Sequence, residues 1–298
     1  MKRIYHNINL AGRNSFGVQQ MASTLVEVEG ADDLRELFFE ERPTKWYVLG
    51  AGNNTLFTKD YDGVLITPIG RNIEILSDDG ERVVVRVEAG YDWDELVQWS
   101  VEQGLWGIEN LSAIPSSVGA APVQNIGAYG AEAKDAISVV EYFDTNKLEV
   151  VRLKNEECSF AYRESVFKHE LKGVAIILAV EFELHRTAKP NLGYGDVIKE
   201  VEARGGASLK NIREAICAIR ASKLPDPKVL GNAGSFFKNP IVGTEVAEAL
   251  LKEYPEMPKY PVPNSSDKVK LAAGWLIDKA AQITIYPKIL MWQLFSNA

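Results

Sequence analysis

Val48-Leu-Gly-Ala-Gly-Asn-Asn-Thr55 is the stretch on which the reading of the fold turns. The apolar run Trp46 to Leu49 ends at Gly50. Glycines that can take positive φ then expose successive backbone N–H groups, the arrangement of an anion-binding nest. A Rossmann fingerprint would need a third glycine and a helix directly after it. Here Asn53, Asn54 and Thr55 follow, and Phe57 to Gly63 reads as loop or strand. A dinucleotide site of the Rossmann kind is therefore disfavoured, and a tight structural turn stays open as the alternative for this segment.

Outward from that loop, strands and helices mix without strict alternation. Ala31 to Glu40 suits a short helix. Arg82-Val-Val-Val-Arg-Val-Glu88 alternates like a strand, with Val83, Val85 and Val87 on one face. Asp92 is placed to cap a helix, and Glu95 three residues on completes a capping box. Trp93, Leu96, Val97 and Val101 share the buried side of that helix, and Gly104 ends it. Ile137 to Leu184 is strand-rich, closing on the apolar run Val174 to Leu184. Ser208 to Arg220 predicts an amphipathic helix with Leu209, Ile212, Ile216 and Ile219 at helical spacing. Lys223-Leu-Pro-Asp-Pro-Lys228 is a rigid turn suited to a domain junction. Between Glu245 and Ile277, two helical patterns flank a proline-rich loop, Pro255 to Pro263. The class is α+β.

Composition narrows the functions. With 298 residues, 46% apolar and 25% charged, the chain can bury sizeable cores in two or three units. A net charge of -8 argues against nucleic-acid binding, which requires a basic excess to release counterions. A small anionic ligand needs only a few placed donors and stays open. Cys158 and Cys217 have no metal or redox spacing and read as small buried apolar residues. Met1 to Gly17 lacks a signal-type apolar run, and no stretch is long enough to cross a bilayer. A reducing cytoplasm is the expected setting, with no membrane partner.

Three further constellations could carry chemistry. Ile114-Pro-Ser-Ser-Val-Gly-Ala-Ala-Pro-Val-Gln-Asn-Ile-Gly-Ala-Tyr-Gly130 is uncharged and rich in small residues. Small side chains let backbone approach a ligand, and Ser116, Ser117, Gln124, Asn125 and Tyr129 add neutral hydrogen-bonding groups. A small-residue packing loop is the alternative. Two such loops in one chain suggest a large cofactor laid along backbone amides. Phe160-Ala-Tyr-Arg-Glu-Ser165 sets Arg163 beside Tyr162, where its fork could clamp a carboxylate or simply form a surface ion pair. Gly231-Asn-Ala-Gly-Ser-Phe-Phe-Lys-Asn-Pro240 places Ser235 in a chain reversal that is not a hydrolase elbow. His6, His169 and His185 lie in no partner motif, so neither a serine triad nor a metal site is expected.

Together Asn125-Ile-Gly-Ala-Tyr-Gly130, Tyr162-Arg-Glu-Ser-Val-Phe-Lys-His169, Lys223 to Lys228, Gly231 to Pro240 and Leu271-Ala-Ala-Gly-Trp-Leu-Ile-Asp278 resemble the UDP-N-acetylenolpyruvoylglucosamine reductase family. The likeness runs in order from the N-terminus to about Lys279. It implies a FAD-binding fold of the vanillyl-alcohol-oxidase type in two subdomains, 1–68 and 69–215, plus an α+β substrate domain at 216–298. It implies that NADPH reduces the flavin and leaves, and that a small nucleotide-sugar, UDP-N-acetylglucosamine enolpyruvate, then takes the same site and is reduced to UDP-N-acetylmuramate. By the same resemblance, Arg163 steadies charge on the substrate carboxylate and Ser235 donates the proton. Gly50, Ala51, Gly52, Asn53, Asn54 and Thr55, with Ile114, Pro115, Ser116, Ser117, Gly119, Ala120, Gln124, Asn125, Gly127, Ala128 and Tyr129, would cradle FAD. Tyr162, Tyr194, Lys223, Gly234 and Asn239 would hold the substrate, and a monomer is expected.

The chain departs from the family after Lys279. Ala281 to Ala298 matches none of the family's continuation, which carries a catalytic glutamate, and no acidic residue follows Asp278. The expectation is a frame change or premature end, with a divergent strand and helix as the alternative. A protein that folds poorly or holds flavin weakly would follow, and a catalytically impaired binding remnant is the second functional reading.

Overall fold

The computed structural model describes residues 2–194, 196–226, 229–232, 237–262 and 265–283, with side chains to Ala280. The tail from 284 to 298, and with it most of the segment that departs from the family, lies outside the described residues. Two compact units are present, Met1–Val229 and Leu230–Ala298.

In the first unit, β1 (Arg3–Asn9), β2 (Met21–Val28), α1 (Ala31–Glu36), β3 (Trp46–Val48) and β4 (Tyr61–Pro68) come first. Their sheet runs β1-β2-β4-β3, antiparallel between β1 and β2 and parallel elsewhere. Parallel strands bury both faces. Leu25, Leu49 and Leu65 accordingly pack with Leu10 and Phe57 on one side, while Val26, Val28 and Ile66 pack with Leu34 of α1 on the other. The helix expected to Glu40 stays α only to Glu36, then widens into a π turn closed by Arg42 at φ 45°. Leaving β3, the chain enters the Gly50–Thr55 loop at the sheet's end.

The second sheet is wholly antiparallel. Its order is β10 (Glu149–Lys154), β9 (Ile137–Asp144), β11 (Ala175–His185), β6 (Arg82–Glu88) and β5 (Ile73–Asp78). Val83, Val85 and Val87 all turn inward against Trp93, Leu96 and Val97 of α2 (Trp93–Glu102). Burying each such side chain contributes about 1.5–3 kcal/mol. Asp92 caps α2 by accepting the Glu95 N–H at 3.0 Å, but the reciprocal half of the capping box is absent because Glu95 pairs with Arg71 instead. Gly104 takes φ +71° just past its end. A small ribbon, β7 (Gly127–Ala128) with β8 (Ala131–Glu132), closes the Ile114–Gly130 loop.

Helices α3 (Val197–Glu202) and α4 (Leu209–Lys223) complete the unit. Ser208 caps α4, which runs past the expected Arg220 to Lys223. Leu209, Ile212, Ile216 and Ile219 are buried with Val197, Val201 and Trp106. A two-pronged pair, Arg213 Nη1 and Nη2 to Asp94 at 2.6 and 2.9 Å, ties α4 to α2. Burial works to raise the Asp94 carboxyl, yet Arg213 and the Ala113 amide bring it below the usual carboxylate range.

The second unit holds β12 (Ile241–Gly243), α5 (Thr244–Glu253), β13 (Lys259–Val262), β14 (Ser265–Leu271) and α6 (Ala273–Ile283). Its sheet order is β12-β14-β13, antiparallel, over Ala247, Met257 and Leu271. The described part of the expected loop Pro255 to Pro263 is thus a strand over its second half, Lys259–Val262. Pro261 is tolerated because β13 is an edge strand, where a missing N–H costs no ladder bond. Among the described residues, no helix is long and apolar enough to cross a membrane.

Candidate active site

The Gly50–Thr55 loop is held from outside rather than by its own hydrogen bonds. Gly52 takes φ +69°, and a Cβ there would lie 2.1 Å from the Arg13 carbonyl oxygen. Only glycine fits. The Ser15 N–H donates to Gly52 O at 3.1 Å, and the Ser15 hydroxyl bonds Asn53 Oδ1. Asn14 is buried and makes the brace rigid, bonding Leu10 O at 2.6 Å and Val18 O at 3.1 Å. Among the described residues, no backbone N–H from Gly50 to Asn54 donates to a protein acceptor. Consecutive uncommitted amides make a ready anion site.

The Ile114–Gly130 loop is built the other way. Val118 and Gly119 donate to Tyr91 O and Ala89 O, both at 2.9 Å, and Ala120, Ala121 and Ile126 bond within the loop. Asn125, fully buried, donates from Nδ2 to Glu132 Oε2 at 2.9 Å and Ala161 O at 3.0 Å and accepts the Lys134 N–H at 3.0 Å. Its side chain is a strut. Ser116 is buried, Pro115 is exposed, and Ile114, Ser117, Gly127 and Ala128 are half-buried along the loop. The loops meet where Asn54 Nδ2 donates to Gln124 Oε1 at 3.2 Å and where a Cβ on Gly50 would stand 2.9 Å from Ser117 Oγ.

Arg163 is brought to this second loop. Its Nη1 donates to Asn125 O at 3.2 Å, its Nη2 to Gly127 O, and its guanidinium lies 5.7 Å over the Tyr162 ring. Two carbonyls and a ring fix the fork while other N–H groups remain. Arg163, Asn125, Tyr129 and Ala113 all take φ between 44° and 58°, a left-handed conformation that side chains disfavour. Such strain gathers at functional sites that the surroundings over-determine.

Around Tyr129 stand further aromatic and cationic groups of the first unit. Tyr194 stands edge-on to Tyr129, centroids 5.9 Å apart at 90°. Arg220 Nε donates to Ala113 O at 3.0 Å. Burial pulls its guanidinium below the ordinary arginine value, and a hydrogen bond to Tyr129 opposes that. Burial likewise raises the Tyr129 phenol, against the pull of the Arg220 charge. Lys223 donates to Asp196 Oδ2 at 3.1 Å. In the second unit, Asn239 Oδ1 accepts the Ala273 N–H at 2.9 Å and so caps α6. Gly234 and Ser235 lie outside the described residues.

Sequence reasoning missed Asn14, Ser15, Asn110 and Arg220. Gly12 and Gly17 flanking an Asn-Ser pair was the available signal for the brace. Arg220 was hidden by its helical period. Cys158 is inert, its thiol pushed up to about 12 by burial. Among the described residues, no cluster of three or more His, Cys, Asp or Glu could hold a metal ion.

A neutral shelf of small residues beside a row of uncommitted amides fits a long cofactor with an anionic centre, such as FAD. A family model described as an FAD binding domain matches residues 22–153. The chain is 47% identical over 287 residues to the UDP-N-acetylenolpyruvoylglucosamine reductase of Neisseria meningitidis serogroup C, covering 94% of this chain and 82% of that protein. It is 45% identical over 281 residues to the reductase of that name from Chromobacterium violaceum, covering 92% and 81%. Among solved structures, UDP-N-acetylenolpyruvylglucosamine reductase from Thermus caldophilus superposes with a TM-score of 0.61 at 23% identity, covering 91% of this chain and 89% of that one. At that identity it supports the fold.

Proposed function

Because this chain belongs to the UDP-N-acetylenolpyruvoylglucosamine reductase family, we propose that it reduces UDP-N-acetylglucosamine enolpyruvate to UDP-N-acetylmuramate with NADPH. The observation that carries this reading is the junction of the two loops with Arg163 fixed on one of them. Bound FAD would supply the two-electron carrier between NADPH and the enolpyruvyl double bond.

The amides of Gly50 to Asn54 would hold the cofactor's pyrophosphate, and the Ile114–Tyr129 shelf would support its ring. Hydride addition pushes negative charge onto the carboxylate beside the receiving double bond. Arg163 meets that charge with N–H groups already oriented by Asn125 and Gly127, so little reorganisation is needed as it builds. Ser235 hands a proton to the neighbouring carbon. By the family likeness, Lys223, Gly234 and Asn239 are substrate residues, as are Tyr162 for the carboxylate and Tyr194 for the nucleotide-sugar. A monomer in the cytoplasm, organised as 1–68, 69–215 and 216–298, belongs to the same proposal.

The remnant reading is not favoured, given relatives of 42–47% identity that carry the reductase name. Purified protein incubated with NADPH and the enolpyruvyl substrate should yield UDP-N-acetylmuramate by mass spectrometry. NADPH consumption without that product would contradict the assignment.

A further inference from the structure

Asn110 lies on a single helical turn, Glu109–Leu111, and is 2% exposed. Its Nδ2 group donates to Tyr129 O at 2.9 Å and to Asn191 O at 2.8 Å. From the opposite side, Asn191 Nδ2 donates to Gly130 O at 3.0 Å. The two segments are in direct contact there, since a Cβ on Gly130 would lie 3.2 Å from Asn191 Nδ2. Leu192 continues the contact by packing with Tyr129 on the α3–α4 cluster. Tyr194 follows, edge-on to Tyr129.

The orientation of the Asn110 amide is fixed. Turned over, it would set Oδ1 against two carbonyl oxygens. As it stands, Oδ1 has no partner. A buried acceptor without a partner is destabilising, and a leucine of similar size would remove that cost. What leucine cannot do is join the Tyr129 and Asn191 carbonyls.

We propose that Asn110, together with Asn191, is a positioning clamp that sets Tyr194 over the nucleotide-sugar end of the site. The clamp rests on the reading of Tyr194 as a substrate residue. It makes Asn110 a determinant of substrate affinity rather than of flavin chemistry. One end of the Leu192–Tyr194 stretch is pinned by Asn110 and Asn191, while buried Val197 anchors the chain beyond it. Ordering the stretch before substrate arrives removes an entropic cost from binding. Its loss therefore raises KM and leaves kcat.

The test uses the FAD-loaded full chain. Asn110→Leu should raise KM for the enolpyruvyl substrate roughly tenfold, from two lost hydrogen bonds, with kcat within about twofold. Flavin content should not change, and hydrogen exchange at the amides of Leu192 to Tyr194 should speed up. Asn191→Ala, at an exposed position, should move KM the same way by roughly threefold, from one lost hydrogen bond. Adding Asn110→Leu to Tyr194→Ala should cost nothing beyond Tyr194→Ala alone. Unchanged KM in both single variants overturns the clamp, as does full additivity with Tyr194→Ala. If the parent holds FAD but does not turn over, the function is wrong, and the exchange measurement still decides the clamp: unchanged exchange in Asn110→Leu overturns it.

Discussion

The two loops of the cradle are both rich in small, uncharged residues, yet they are built on opposite plans. Gly50–Asn54 leaves its amides uncommitted and is braced from outside by Asn14 and Ser15. Ile114–Gly130 satisfies many of its own amides and is pinned by Asn125 and Arg163. The first plan suits binding an anion, because unpaired donors await a ligand. The second suits placing chemical groups, because a loop with few idle donors can hold a ring and an arginine in fixed relation. Similar composition thus serves affinity in one place and geometry in the other.

That contrast can be broken by substitution. The largest effect should come from Gly52→Ala, where left-handed φ and a carbonyl at 2.1 Å exclude any Cβ. We expect essentially complete loss of flavin, read as the flavin-to-protein absorbance ratio after gel filtration. A yellow Gly52→Ala protein would contradict the nest. Arg163→Met should keep its flavin and lower kcat by about 10²–10³-fold, the scale of losing one preorganised donor of transition-state charge. Flavin loss in that variant would mean that the second loop serves affinity as well. Ser15→Ala should be mildest, weakening FAD binding roughly fivefold through one lost hydrogen bond and leaving kcat alone. Isothermal titration of apoprotein with FAD gives the first number and steady-state kinetics the second.

Much of this contrast was legible in the residues, and the reasons for the rest are specific. The valine alternation of β6, the Asp92 cap and the apolar stripe of α4 were readable because each is a local pattern with one period. The capping box was half lost because Glu95 found Arg71, a partner from another element. The Pro255 to Pro263 segment reads as loop because its prolines mask a short edge strand, β13. Both cradle loops announced themselves by their glycines. Their braces did not, since Ser15 and Arg220 act across long sequence separations and have ordinary neighbours. The family likeness supplied roles for Arg163 and Tyr194, whereas the distances that fix Arg163 came only from the fold.

The most direct test of the account is anaerobic spectroscopy of the two half-reactions. NADPH should bleach the bound flavin's absorbance near its visible maximum, and one equivalent of UDP-N-acetylglucosamine enolpyruvate should restore it in full. Reduced flavin that is unmoved by the enolpyruvyl substrate would contradict the assignment of Arg163 and its loop to that reaction.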